Sequence, residues 1–270
     1  MLNAEQMAAI KTFIFKNGRL LERQLYEHFF AGGMREACLK SLLAYQNFDS
    51  GFGNGIEPDL LVPNSTAIGG ETALFIFDMM GNPFHQIPRG LSLWASERQL
   101  PDGTLPHPPE NLANYPFQPW WTSPDRDRVL VIAALLTKMG IDSPEFYDRT
   151  YAYYQTCEIP GPDNFYSYPF FAYLKYCART DEDRAQFDQM VEQIPVVLDK
   201  HRDHFPLFSR YWYYAAEHVE KTVLDREAQS WVESLQPDGG LPIPYPDLPW
   251  WRPIWTLDGL VLFKRWGYIA

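Results

Sequence analysis

Tyr115-Pro116-Phe117-Gln118-Pro119-Trp120-Trp121 and Tyr245-Pro246-Asp247-Leu248-Pro249-Trp250-Trp251 agree at five of seven positions. Each follows an Asp-Gly turn, Asp102-Gly103 before the first copy and Asp238-Gly239-Gly240 before the second. Each leads through a short Pro-containing stretch into an apolar run with helical spacing. A motif that returns at matching places in a helix–loop–helix unit marks a repeat architecture. It also puts four of the nine tryptophans at equivalent positions.

Outward from the two copies, the chain reads as helices separated by glycine-rich turns. Asn3 to Lys16, Arg19 to Phe30 and Met34 to Tyr45 have helical spacing, with Asn17-Gly18 and Gly32-Gly33 as stops. Turn residues dominate Gln46 to Gly55, and a loop through Glu57-Pro58-Asp59 reaches Pro63. Asn64 or Ser65 is then placed to cap a helix ended by Gly81. Helices follow near Ile87 to Arg98, Arg126 to Met139 (capped by Ser123 or Asp125), Ser143 to Tyr154 and Tyr166 to Cys177. The later ones run from Asp181 to about Lys200, Phe208 to Glu217, Leu224 to Leu235 and Ile254 to Trp266. Strand patterns are nearly absent. Recognisable turns recur at roughly fifty-residue spacing, which makes about six helical hairpins. The expected fold is all-α, residues 1–270 forming one domain. The second helix of a hairpin is apolar nearly all round, as in Val129 to Leu136, and a helix buried on both sides suits the inner layer of a closed (α/α)6 toroid.

Composition narrows the function classes. A formal net charge of -11 argues against nucleic acid and anionic membranes as partners. Three cysteines without regular spacing, Cys38, Cys157 and Cys177, read as reduced thiols of a cytoplasmic protein. The start of the chain lacks a signal peptide's apolar core, and no apolar run is long enough to span a bilayer.

Gln46…Asp49-Ser50-Gly51-Phe52, Gln99…Asp102-Gly103 and Gln236…Asp238-Gly239-Gly240 resemble the repeat of squalene–hopene-type terpenoid cyclases and protein prenyltransferase beta subunits, the third with one residue fewer between Gln and Asp. Asp49 to Asp59, with its Glu-Pro-Asp, is similar to a group of bacterial toroid proteins. The resemblance implies an (α/α)6 toroid with an apolar central cavity, its ligand site at the ring end where loops enter the inner helices. It says more about fold than about chemistry.

Asp125-Arg126-Asp127-Arg128 opens one inner helix. By resemblance to the Asp-x-Asp-Asp motif of class II terpenoid cyclases, Asp127 matches the middle aspartate, which protonates an alkene or epoxide. Arg128 stands where the third aspartate would be. Helix capping by Asp125 and Asp127 is the bland alternative. Glu57 and Asp59, two apart in an extended loop, project to one side and, with Asp49, form a second candidate acid/base pair or a weak Ca²⁺ site; loop solvation or capping of neighbouring helices competes with that role. Trp120, Trp121, Trp250, Trp251 and Trp255, with Tyr166 and Tyr211, are candidate ligand contacts through cation–π attraction or stacking on sugar rings; packing beneath Pro-rich loops competes there. Arg210 and Arg252 are the cations near inner-helix starts, too few for a clustered diphosphate site.

No metal or other cofactor is expected. The cysteines lack Asp/His partners at inner-helix starts, and His201-Arg202-Asp203-His204 has no third ligand in reach. The expected partner is a small molecule, apolar or sugar. Three functions compete: an isoprenoid-type ligand bound or transformed in an aromatic cavity, a carbohydrate-active enzyme with paired carboxylates roughly 5–10 Å apart, and a non-catalytic binding toroid.

Overall fold

In a computed structural model, the structure describes residues 2–269 except 82–85, 165–166, 202–209, 243–244 and 246. Among the described residues the regular structure is helical: α1 (Ala4–Asn17), α2 (Leu20–Phe30), α3 (Arg35–Leu43), α4 (Ala67–Met79), α5 (Gln86–Arg98), α6 (Arg128–Lys138), α7 (Pro144–Tyr154), α8 (Tyr168–Cys177), α9 (Asp181–Lys200), α10 (Arg210–Ala215), α11 (Lys221–Ser234) and α12 (Trp251–Arg265). Strand-like pairing is confined to two isolated bridges, Gln46 with Phe52 and Leu60 with Phe117. Among the described residues no helix is long and apolar enough to cross a membrane. Two compact units are formed, one from Met1–Leu42 with Val191–Ala270, the other from Leu43–Met190.

The second unit is built on α6, which packs against α4, α7 and α8, while α5 packs on α4 and α7. The sequence shows why. Every residue of α6 from Arg128 to Leu136 is buried, as is every residue of α4 from Ala67 to Phe77. Helices apolar on all sides must be covered on all sides. α5 and α7 each bury one stripe: Ile87, Leu91, Trp94 and Ala95 on the first, Phe146, Thr150, Tyr153 and Tyr154 on the second. Each fully buried aliphatic side chain here contributes about 1.5–3 kcal/mol.

In the first unit α1 and α2 pack on each other and on α12. The α1 face is Ile10, Phe13 and Ile14; α12 buries Leu257 and Leu260 to Phe263. Trp231 of α11 lies 4.9 Å from the Phe263 ring. Asn3 caps α1 in a box with Gln6, as the Asn-x-x-Gln spacing dictates.

Three turns share one geometry. In the first, Asn47 N–H donates to Gly51 O (2.9 Å), Ser50 N–H to Asn47 O (3.0 Å), and Gly51 N–H to Asp49 Oδ1 (3.0 Å). Leu100, Gly103 and Thr104 repeat this around Asp102, at 2.9, 2.9 and 3.0 Å. Gln236, Gly239 and Gly240 do so around Asp238, at 2.9, 2.9 and 3.0 Å. The fourth residue of each is left-handed: Ser50 at φ 67°, Gly103 at 85° and Gly239 at 87°. The missing residue of the third copy lies before the turn. Gln46 and Gln99 precede it and brace it by donating to Ser50 O (3.2 Å) and Gly103 O (2.9 Å). Gln236 is already its first residue, and its side chain donates to Ser234 O instead.

Several helix starts differ from expectation. Thr66 caps α4 by accepting from Gly69 N–H, while Asn64 accepts from Asn111 and Ser65 donates to Asp49. α6 begins at Arg128, and neither Ser123 nor Asp125 caps it. α12 begins at Trp251, three residues early, because Pro253 falls in the first turn, where its missing N–H has no helical partner to lose. Tyr166 and Phe208, expected at helix starts, lie outside the described residues.

A candidate site at the ends of the buried helices

Within the second unit, the first turns of α6 and α8 and the fifth residue of α4 bring charges into the core. Glu71 is fully buried and Arg128 is 5% exposed. Arg128 Nη1 donates to Glu71 Oε2 at 2.8 Å, and Tyr168 Oη donates to Glu71 Oε1 at 2.7 Å. Arg128 Nη1 also contacts Tyr168 Oη, and Arg128 Nε donates to Asp125 Oδ2 at 2.7 Å. Burial by itself would lower the arginine's pKa; Glu71, Tyr168 and Asp125 more than reverse this and hold it well above its usual value. One guanidinium therefore ties α4, α6, α8 and the loop before α6 together.

Beside it runs the loop from Glu57. Glu57, 4% exposed, accepts from Thr72 Oγ1, one residue beyond Glu71. Asp59 Oδ2 accepts from Trp120 Nε1 at 3.2 Å, and its backbone carbonyl accepts from Gln118 N–H at 3.0 Å. Leu61 N–H donates to Pro116 O at 3.0 Å. The first Tyr-Pro-x-x-Pro-Trp-Trp stretch thus lies along the Glu57–Leu61 loop. Trp121 packs into a small core with Leu60, Val62, Ile68 and Leu112. Trp120, its indole N–H tied to Asp59, remains 41% exposed.

Asp127 differs from these acids. It sits half-buried at the N-cap of α6 but does not cap it; it accepts from Tyr153 Oη of α7 at 2.9 Å. Burial pushes its carboxyl above the ordinary aspartate value; the Tyr153 bond and Arg128 oppose, Asp125 assists, and the net shift is upward. Tyr153 is raised in turn by burial and by Asp127. His107, not singled out in the sequence, stands 6.0 Å edge-on from Trp121. Burial lowers its pKa against the pull of Asp125, which keeps the imidazole neutral at neutral pH.

The remaining candidates belong to the first unit. The second heptad makes the same closing turn: Trp251 N–H donates to Leu248 O at 3.2 Å, as Trp121 N–H does to Gln118 O at 3.0 Å. Trp250 is 43% exposed, matching Trp120. Trp251 is half-buried and stacks on Trp255, centroids 5.5 Å apart. Arg252 is forked on Asp238 (2.8 and 2.9 Å), donates to Leu241 O and lies over the Phe13 ring. Its charge therefore locks the third turn. Arg210 opens α10 half-buried, and Tyr211 is buried there with its pKa raised by desolvation. Tyr166, Arg202, Asp203 and His204 lie outside the described residues.

Glu71 and Arg128 carried a signal that sequence reading underused. Each is a charge within the fully buried stretch of its helix, and a charge that must be buried needs a partner. Among the described residues no group of three His, Cys, Asp or Glu side chains is arranged to hold a metal ion. No family model, curated protein or solved structure matches this chain.

Proposed function

We propose that the chain is an (α/α)6 toroid that binds an apolar, isoprenoid-type ligand at the aromatic end of its buried helices, with Asp127 as proton donor to an alkene. The observation that carries this reading is the placement of Asp127, half-buried at the head of α6 without capping it and accepting from Tyr153 Oη at 2.9 Å, where burial raises its carboxyl. Glu71 and Asp125 are engaged by Arg128, Glu57 by Thr72 and Asp59 by Trp120. Burial pushes Asp127 toward its protonated form, which proton donation to carbon requires. Proton transfer from its carboxyl to an alkene carbon leaves a carbocation, and the exposed Trp120 face offers cation–π stabilisation.

The test is Asp127→Asn, assayed against farnesol as an isoprenoid probe. Wild type is expected to be stabilised thermally by farnesol and to convert it, faster as pH falls toward the ordinary aspartate range. The variant should keep the stabilisation and lose the conversion. Absence of both in the wild type would sink the proposal. Asp127→Asn also has a stability signature. The folded pKa is raised, so folding is penalised above that pKa and unpenalised below the unfolded value of about 3.9. The variant should be more stable than wild type at neutral pH, the advantage vanishing on acidification.

One feature supports a carbohydrate reading instead. The exposed Trp120 ring, fixed through Asp59, is a ready platform for a sugar face. Quenching of tryptophan fluorescence by a soluble polysaccharide, abolished by Trp120→Ala and insensitive to farnesol, would favour it over the isoprenoid.

A further inference from the structure

At the other end of α6 a cavity of about 260 Å³ opens between the C-terminal ends of α6 and α8 and the start of α7. Thr137 lines it and lies ten residues beyond Asp127, about 15 Å along the helix. It is therefore separate from the site described above. Three tyrosines line it, Tyr147, Tyr173 and Tyr176, with Cys177 and Arg179.

Two of the polar groups are satisfied within the protein. Tyr147 Oη donates to Ile141 O at 2.6 Å, and Cys177 Sγ donates to Thr137 Oγ1 at 3.4 Å. Burial raises the Cys177 thiol to about 11, so it stays protonated and is no nucleophile. Tyr173 is different. It is 2% exposed, packs on Tyr154 at 5.1 Å, and its hydroxyl has no hydrogen-bond partner among the described residues. Tyr173 lines the cavity, and a ligand acceptor there can take the hydrogen of its hydroxyl.

Cations and acids both surround the mouth, and Arg179 is the cation that lines the cavity itself. Lys138 and Lys175 both lie over the Tyr176 ring, at 5.4 and 5.5 Å. Arg179 stacks over Tyr151 at 4.5 Å and pairs with Asp148 at 2.7 Å, in an exposed ion pair that contributes little and is readily exchanged. Of the other nearby acids, Asp78 is held by Lys138, Asp183 by the backbone N–H groups of Arg179 and Thr180, and Asp142 faces Tyr147 on the α7 side, away from Arg179 in sequence. A cavity of about 150 Å³ admits benzene, so this one has room for a ring and one polar substituent.

We propose that this cavity binds a single-ring aromatic carboxylate, its ring among Tyr147, Tyr173 and Tyr176, its carboxylate accepting from the Tyr173 hydroxyl and countered by Arg179. The test is a titration of the full chain with benzoate, followed by NMR of the α6–α8 amides, with toluene as the uncharged control. Saturable shifts confined to the ends of α6, α7 and α8 are expected, with toluene at least about tenfold weaker. Tyr173→Phe keeps the buried ring and should weaken benzoate about tenfold. Arg179→Gln should weaken it similarly and flatten its salt dependence. The proposal is overturned by the absence of saturable shifts at millimolar benzoate, or by benzoate affinity unchanged in both variants. Should Tyr173→Phe fail to fold, the surface variant Arg179→Gln decides alone. Farnesol conversion by Asp127 stands or falls separately.

Discussion

Arg128 occupies the place where the resemblance to class II cyclases calls for an aspartate, and its guanidinium is what allows Glu71 to be fully buried. A buried carboxylate left without its partner keeps its desolvation penalty and loses its attraction. Arg128→Met should therefore cost about 3–5 kcal/mol, read from urea denaturation, whereas Arg128→Met combined with Glu71→Gln should cost clearly less. Equal losses in the single and double variants would show that packing, not charge, holds these helices. The same residue changes the meaning of its neighbours. Asp125 is spent on Arg128, which leaves Asp127 to Tyr153 and to partial burial. That division could not be read from Asp-Arg-Asp-Arg, because which carboxylate meets the arginine depends on where α6 begins. The helix starts at Arg128, two residues later than its apolar pattern suggests.

At the scale of the element, the Asp-Gly turns were legible in detail. Aspartate accepting from a backbone N–H two residues on, followed by a left-handed residue, is local chemistry. Tertiary contacts then made two of these glycines irreplaceable. A Cβ on Gly103 would come within 2.4 Å of Arg149 O, and one on Gly239 within 2.4 Å of the Ala9 backbone. Gly140 has a similar φ of 69° with nothing within 4 Å. Gly140→Ala should thus cost only the left-handed penalty of about 1–2 kcal/mol, while Gly103→Ala and Gly239→Ala should cost clearly more. Ser50, left-handed at φ 67° without being glycine, should gain about 1 kcal/mol on replacement by Gly. Thermal midpoints of the four variants test this ranking; equal losses at Gly103 and Gly140 would contradict it. Helix caps were less legible. Asn64, Ser65 and Thr66 are all competent caps, and loop partners outside the helix took the first two.

For the molecule as a whole, one unit is assembled from both ends of the chain, Met1–Leu42 and Val191–Ala270. α12 packs against α1 and α2, more than two hundred residues away in sequence. Deleting residues 2–30 should therefore abolish hydrogen-exchange protection across α12, although α12 itself is unchanged in sequence. Protection that survives the deletion would mean that α12 is held by something other than α1 and α2. The association of the first and last helices has no local signature, since either apolar stripe could have met another partner.

The sequence by itself determined that the protein is helical, where its turns fall, and that some helices are buried all round. Those features follow from period, glycine and aspartate chemistry, all of which act within a few residues. Tertiary structure alone decided which charges meet. Glu71 and Arg128 are 57 residues apart, and Tyr168 lies 97 beyond Glu71. Their pairing depends on three helix ends arriving at one place, and the low dielectric there makes one ion pair tie α4, α6 and α8 together, while burial pushes Asp127 toward its protonated form.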